Sequence, residues 1–194
     1  NVARIDDWLG EGVDQDRDGQ FSERSTIYSG VTVEALLDLA INLQRPALLE
    51  PVRRHLEFLL FQADANGELD TLASRRQDQQ LREPRRLAAY YVPLRLLAIR
   101  LKDGRFAAAA RSVEREDRGR ITDHLAEWMQ WPELRQPLPA SQPLPDDFAR
   151  HFPASGLVRI RRGQVSASVF GGGDWAAVRD ISSGLSTNPT FFRF

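Results

Sequence analysis

The sequence predicts a mainly helical protein, made of antiparallel helix pairs and followed by the first strands of an antiparallel β-domain. Three observations carry this prediction. Up to about residue 130 the apolar residues recur at helical spacing. Residues 132–153 then contain Pro132, Pro137, Pro139, Pro143, Pro145 and Pro153, a density that breaks regular structure. Beyond them the apolar period falls to two, the spacing of strands.

In chain order, residues 1–9 read as the end of a helix stopped by Gly10 and Gly12. An acidic loop follows. Residues 25–44 predict a helix with Ser25 or Thr26 as N-cap. Its stripe of Tyr28, Val31, Leu36, Leu39, Ala40 and Leu43 is expected to face the core. A second helix starts at Pro46 or Pro51 and reaches Ala63, with Leu48, Leu49, Val52, Leu56, Leu59 and Leu60 on one face. After a polar loop over 68–83, Pro84 opens a third helix to Leu101. A fourth covers 106–116 and a weaker fifth covers 121–129. The proline density of residues 132–153 excludes helix and sheet interior, so this segment is expected to be a linker or a wrapping segment. Residues 157–161 and 164–170 predict a hairpin about Arg162-Gly163, the run Gly171-Gly172-Gly173 interrupts it, and residues 190–194 read as a further strand. The expected organisation is a helical part over 1–131, the linker over 132–153 and the start of a β-domain over 154–194. So few strands are not expected to bury both faces of a sheet, so the chain reads as the middle of a larger protein.

Composition narrows the function classes. The 194 residues are 42% hydrophobic and 27% charged, ordinary for a globular protein. No apolar run approaches the ~20 residues of a membrane span. The absence of Cys removes disulfides and thiol nucleophiles, and suits bacterial cytoplasm as well as a periplasmic or secreted setting. Net charge is −1, yet residues 1–23 hold seven acidic groups against two basic, and residues 75–120 hold thirteen basic against six acidic. An acidic head can attract a cation and a basic middle an anion, although two solvated faces give the same pattern. A pI near 6.4 argues against nucleic acid as partner.

The acidic loop carries the most chemistry. Asp14, Asp16 and Asp18, followed by Gly19, match the first half of an EF-hand-type loop, in which alternate carboxylates converge on Ca²⁺ and Gln20 offers its backbone carbonyl. The closing bidentate Glu is displaced: Ser25 stands at the twelfth position and Glu23 comes two residues early. A shortened loop would use Glu23, and an acidic turn held by its own hydrogen bonds is the plainer reading. Tyr28 lies one turn into the next helix. A tyrosine serves as general acid, or as base beside cations, although at helical spacing it more often packs in a core.

The stretch Phe21-Ser22-Glu23-Arg24-Ser25-Thr26-Ile27-Tyr28 resembles the Phe-(x)-Glu-Arg-Ser-x-x-Tyr segment of heparinase II/III-like polysaccharide lyases. Val33-Glu34-Ala35-Leu36-Leu37-Asp38-Leu39-Ala40 is similar to that family's next helix, and Phe152-Pro153-Ala154-Ser155-Gly156 to its entry into the β-domain. The resemblance implies an incomplete (α/α) toroid followed by a β-sandwich. It implies β-elimination on acidic, uronate-containing polysaccharides or oligosaccharides, with Tyr28 as catalytic acid/base and Glu23 orienting the segment or a ligand. The family's His-x-His-x-Asp-like segment corresponds here to residues 181–189, which contain no His. The carboxylate-neutralising Asn or His of its earlier toroid helices has no counterpart in this chain.

Other candidates are weaker. His55 is expected on the surface, His124 in a polar helix, and His151 at the junction of helices and strands. Arg75, Arg76, Arg85 and Arg86, with Tyr90, suit the carboxylates and ring faces of an acidic sugar. Gly171-Gly172-Gly173 precedes no helix and is not a phosphate loop. Ser183 and Ser186 have no nearby base. The sequence therefore reads as a polysaccharide lyase-like protein. A non-catalytic carbohydrate-binding protein on the same scaffold and a calcium-stabilised structural domain are the alternatives.

Overall fold

The computed structural model describes residues 2–76, 78, 83–116, 122–172 and 190–194. Six α-helices are found among them: α1 (Val2–Gly10), α2 (Thr26–Asn42), α3 (Leu49–Gln62), α4 (Tyr91–Leu101), α5 (Gly104–Glu116) and α6 (Leu125–Gln130). Four antiparallel strands follow, β1 (Asp147–Phe152), β2 (Leu157–Arg162), β3 (Val165–Phe170) and β4 (Phe192–Arg193), in the order β1-β2-β3-β4. The protein is mainly helical with a small antiparallel sheet after the helices. No described helix is long and apolar enough to cross a membrane.

Local chemistry explains the helix ends. Ser25 caps α2, its Oγ accepting from the amides of Ile27 and Tyr28 at 3.2 Å each. Asp103 opens α5 by accepting from the amides of Arg105 at 2.8 Å and Phe106 at 3.4 Å. Lys102 and Asp103 form the whole connection between α4 and α5, so these helices fold back as a hairpin. Ala107, Ala109 and Ala110 are fully buried in α5, and such small side chains let its backbone approach α4 closely.

Several boundaries differ from the sequence expectation. Pro46 starts a 3-10 turn, Pro46–Leu48, and α3 begins at Leu49 with Pro51 in its first turn, where a missing N–H is tolerated. The third helix does not begin at Pro84. Arg86 is extended and bridges Glu68, Leu69 donates to the Arg85 carbonyl, and only Leu87–Tyr90 turns, as 3-10, into α4. The fifth is a 3-10 turn, Thr122–His124, continuing as α6. The proline-rich segment is not free of structure. Pro132–Arg135 forms a 3-10 turn that buries Leu134, and β1 fits between Pro145 and Pro153, which flank it without entering its ladder. The predicted hairpin is present, with Arg162 opposite Val165 and Gly163 at φ +59° in its turn.

The sheet is not left bare. Phe152, Leu157 and Phe170 belong to the same buried apolar cluster as the helices. Phe152 meets Phe58 edge-on at 5.0 Å between ring centroids, and Phe148 meets Phe61 at 5.2 Å. The helices thus take the covering role that a partner sheet was expected to fill.

Between these layers lies Arg159 of β2, on the same sheet face as Leu157, its side chain 1% exposed. Its Nε donates to the Phe61 carbonyl at 3.3 Å, Nη1 to Asp70 at 3.2 Å and Ser168 at 2.6 Å, and Nη2 to the Gln62 carbonyl at 3.3 Å and Asp64 at 2.7 Å. A guanidinium has five N–H donors, and each has an acceptor here. Asp70 is itself fully buried. Burial alone would raise the Asp64 carboxyl, but hydrogen bonds from Ser166 and Arg159, with the charges of Arg159 and Arg193, outweigh it and hold it below the ordinary value.

Arg159→Met keeps much of the volume but leaves the buried Asp70 with only a 3.6 Å approach of Arg193 and the Ser168 hydroxyl. It is expected to lower stability by about 3–5 kcal/mol, measured by urea denaturation with a reversible two-state fit.

Candidate functional site

The acidic loop is held by its own backbone and by α3. Gly19 adopts φ +92°, and a Cβ there would strike the carbonyl of Arg54, so glycine is required for both conformation and contact. Asp16 Oδ1 accepts from the amides of Asp18 at 2.8 Å and Gln20 at 2.9 Å. The Asp16 amide donates to the Gln20 carbonyl at 2.8 Å. Asp18 Oδ2 accepts from the amide of Ala154 at 2.9 Å, tying the loop to the β1–β2 turn, and Asp14 accepts from the Ser22 hydroxyl. Burial raises the Asp16 carboxyl, although the amides of Gln20 and Asp18 oppose that rise. The carboxylates of Asp14, Asp16, Asp18 and Glu23 therefore each turn toward partners of their own, while Gln20 engages through its backbone carbonyl and its buried Oε1 has no partner among the described residues. No group of three or more His, Cys, Asp or Glu able to hold a metal is found among the described residues.

His55 is not on the surface. It is 2% exposed beneath this loop, its ring 4.8 Å from that of Phe21 and 5.9 Å from that of Tyr90. Nδ1 lies 3.1 Å from the Gly19 carbonyl, which can only accept, so Nδ1 carries the hydrogen. Nε2 has no partner among the described residues. Burial lowers this imidazole to about 4, with the Gly19 hydrogen bond opposing.

Tyr28 is not in the core either. It is 40% exposed, and Val31 is exposed with it, because α2 buries the opposite side through Ser29, Gly30, Val33, Leu36, Leu37 and Ala40. The other tyrosines are enclosed. Tyr90 is fully buried and donates to the Thr26 carbonyl at 2.6 Å, so it cannot stack on a sugar. Tyr91 donates to Glu114 at 3.0 Å, and burial raises its hydroxyl together with that bond. Tyr28 borders a cavity of about 150 Å³ whose walls include Asp14, Glu23 and Thr32. The guanidinium of Arg76 sits 5.0 Å from the centre of its ring and is ion-paired with Glu23. Arg75 is anchored on the Ser22 carbonyl at 3.1 Å through Nη1.

The candidates thus divide. Tyr28, Glu23 and Arg76 come together, with Arg75 alongside. Arg85 does not join them: it reaches Gly30, which lies roughly 200° around α2 from Tyr28. Arg86 is committed to the Asn66 carbonyl. The segment 181–189 lies outside the described residues. His124 lies 3.6 Å from Glu127, and His151 is exposed on β1. The sequence reading also missed what orients this corner. Asp78 is buried and accepts from the Thr26 amide at 2.6 Å and the Ser25 hydroxyl at 2.8 Å, placing a carboxylate on the N-terminus of α2. Only its distance along the chain, and no local pattern, separates it from that role.

Two measurements follow. The folded state holds His55 well below the ordinary 6.5, so its contribution is fully present above about pH 6.5 and is lost as pH falls through about 4, by roughly 3 kcal/mol in total. His55→Asn keeps a donor for Gly19 and is expected to flatten that part of the stability–pH curve, while costing stability at pH 7 through the lost ring contacts. Calcium at the loop is tested by melting temperature in millimolar Ca²⁺ and in chelator. A rise of several degrees in Ca²⁺ supports the metal, and no difference rejects it. A scan against protein-family models matched none, and comparison with curated proteins and with solved structures found no match.

Proposed function

We propose that the corner around Tyr28 binds an acidic glycan and acts on it by β-elimination. The observation that carries this reading is that Tyr28 alone among the three tyrosines is exposed, at the rim of a small cavity, beside a guanidinium and a carboxylate. In such a reaction a base takes the proton next to the uronate carboxylate. The electron pair left behind forms a carbon–carbon double bond, the bond to the glycosidic oxygen breaks, and an acid protonates that oxygen. Tyr28 is the group proposed for proton transfer. Arg76, with Arg75 nearby, would neutralise the uronate carboxylate so that charge can build on it. Glu23 would position Arg76 through their ion pair.

Glycan binding without turnover is the second reading. It is favoured by the commitment of Arg76 to Glu23, since a substrate carboxylate must compete with a carboxylate already in place.

The test is the ultraviolet absorbance of unsaturated product on a panel of uronate polysaccharides. Tyr28→Phe is expected to lower the rate by about 10²–10⁴-fold with glycan affinity retained. Binding with no product from the wild-type protein would select the second reading.

A further inference from the structure

We propose that a separate cleft, where the loop after α3 meets β2, β3 and β4, binds a short neutral oligosaccharide. This cavity of about 450 Å³ is lined by residues of both layers and shares none of them with the Tyr28 corner. Its size falls in the range of small-ligand sites.

The charges in the cleft are already matched. Asp64 pairs with Arg159 at 2.7 Å and with Arg193 at 2.9 Å. Glu68 pairs with Arg193 at 3.5 Å. Asp70, below them, pairs with Arg159 and accepts from the Ser168 hydroxyl at 2.5 Å. Every carboxylate has a guanidinium and both guanidinia have carboxylates, so a charged ligand must break a pair to form its own. A ligand made of hydroxyl groups need not. A carboxylate offers about four lone-pair sites, and Glu68, partly exposed and held among the described residues by one long contact, has most of them to spare. The amides of Asn66 and Gln164 add neutral donors on the same wall, and the Ser166 oxygen, its hydrogen given to Asp64, adds an acceptor.

Two further features suit a sugar. Val165 and Phe194 line the cleft and are largely exposed, giving apolar surface for the C–H face of a pyranose ring beside its polar edge. The polar wall is also fixed before any ligand arrives, because Arg159 has spent every donor on its surroundings and Asp64 accepts from Arg159 and from Ser166 at 2.6 Å. Such preorganisation reduces the entropy lost on binding. If the ion pairs served only to join the layers, they would gain from being covered. Here the network opens on a cavity.

The test is isothermal titration of the full chain with cellotriose, maltotriose, mannotriose and chitotriose. A trimer of glucosamine and a uronate trimer serve as cationic and anionic probes. At least one neutral trisaccharide is expected to bind at millimolar or better Kd, and Glu68→Gln and Phe194→Ala are each expected to weaken it by about tenfold. Both substitutions are at partly or fully exposed side chains, and an unchanged melting temperature verifies the fold of each variant. The proposal is overturned if no neutral trisaccharide binds, if binding ignores both substitutions, or if a charged trimer binds more tightly and responds to them. None of these outcomes depends on whether Tyr28 performs elimination.

Discussion

A guanidinium buried between a helix and a sheet is costly unless every one of its hydrogens is met, and meeting those of Arg159 organises the rest of the molecule. Two acceptors are the carbonyls of Phe61 and Gln62, the last residues of α3, which have no intrahelical partners. A positive charge at a helix C-terminus also complements the helix dipole. Two more are Asp64 and Asp70, in the turn that follows, and the fifth is Ser168 on the neighbouring strand. One side chain therefore ends the helix, shapes the turn after it and fixes the sheet over both. The edge-on rings of Phe58 with Phe152 and Phe61 with Phe148 then close the apolar part of the same joint.

The acidic loop follows a similar logic at the opposite end of α3. Its glycine lies against the carbonyl of Arg54, its own carbonyl faces His55, and Gln15 donates to the Pro51 carbonyl at 2.8 Å. Asp18 and Arg24 extend the contact to the β1–β2 turn, through the Ala154 amide and the Ser155 carbonyl. The guanidinium of Arg24 also lies 5.2 Å from the ring centre of Phe170. With loop, helix and strand turn joined, the start of α2 is held with Tyr28 facing outward, toward Arg76 rather than toward the core.

The two clefts differ in what they leave available. Near Tyr28 a phenol, an exposed ion pair and a further arginine stand at the surface, a set that can exchange partners and move a proton. In the cleft below β2 the charges lock one another, leaving lone pairs, amides and apolar surface. On the functions proposed for them, the first arrangement would act on a charged substrate and the second would recognise an uncharged one.

The sequence by itself determined the six helices found among the described residues, an N-cap at Ser25 or Thr26, the hairpin about Gly163 and the glycine at position 19, because these depend on neighbours within a few residues. It also brought out the stretch from Glu23 to Tyr28 as chemically unusual. Tertiary structure decided the rest. Nothing local marks His55 as interior, since it is flanked by Arg53, Arg54 and Glu57; the acidic loop lying across it and the ring of Tyr90 enclose it in the folded chain. The periodicity that grouped Tyr28 with Val31 and Leu36 could not say which side of α2 would find a partner; the side carrying Val33 and Leu37 did. Arg159 shared a strand face with Leu157, a pattern legible in the sequence. Its acceptors lie roughly ninety to one hundred positions earlier, apart from Ser168. A buried charge is tolerated only once those partners converge, and that convergence exists only in the folded chain.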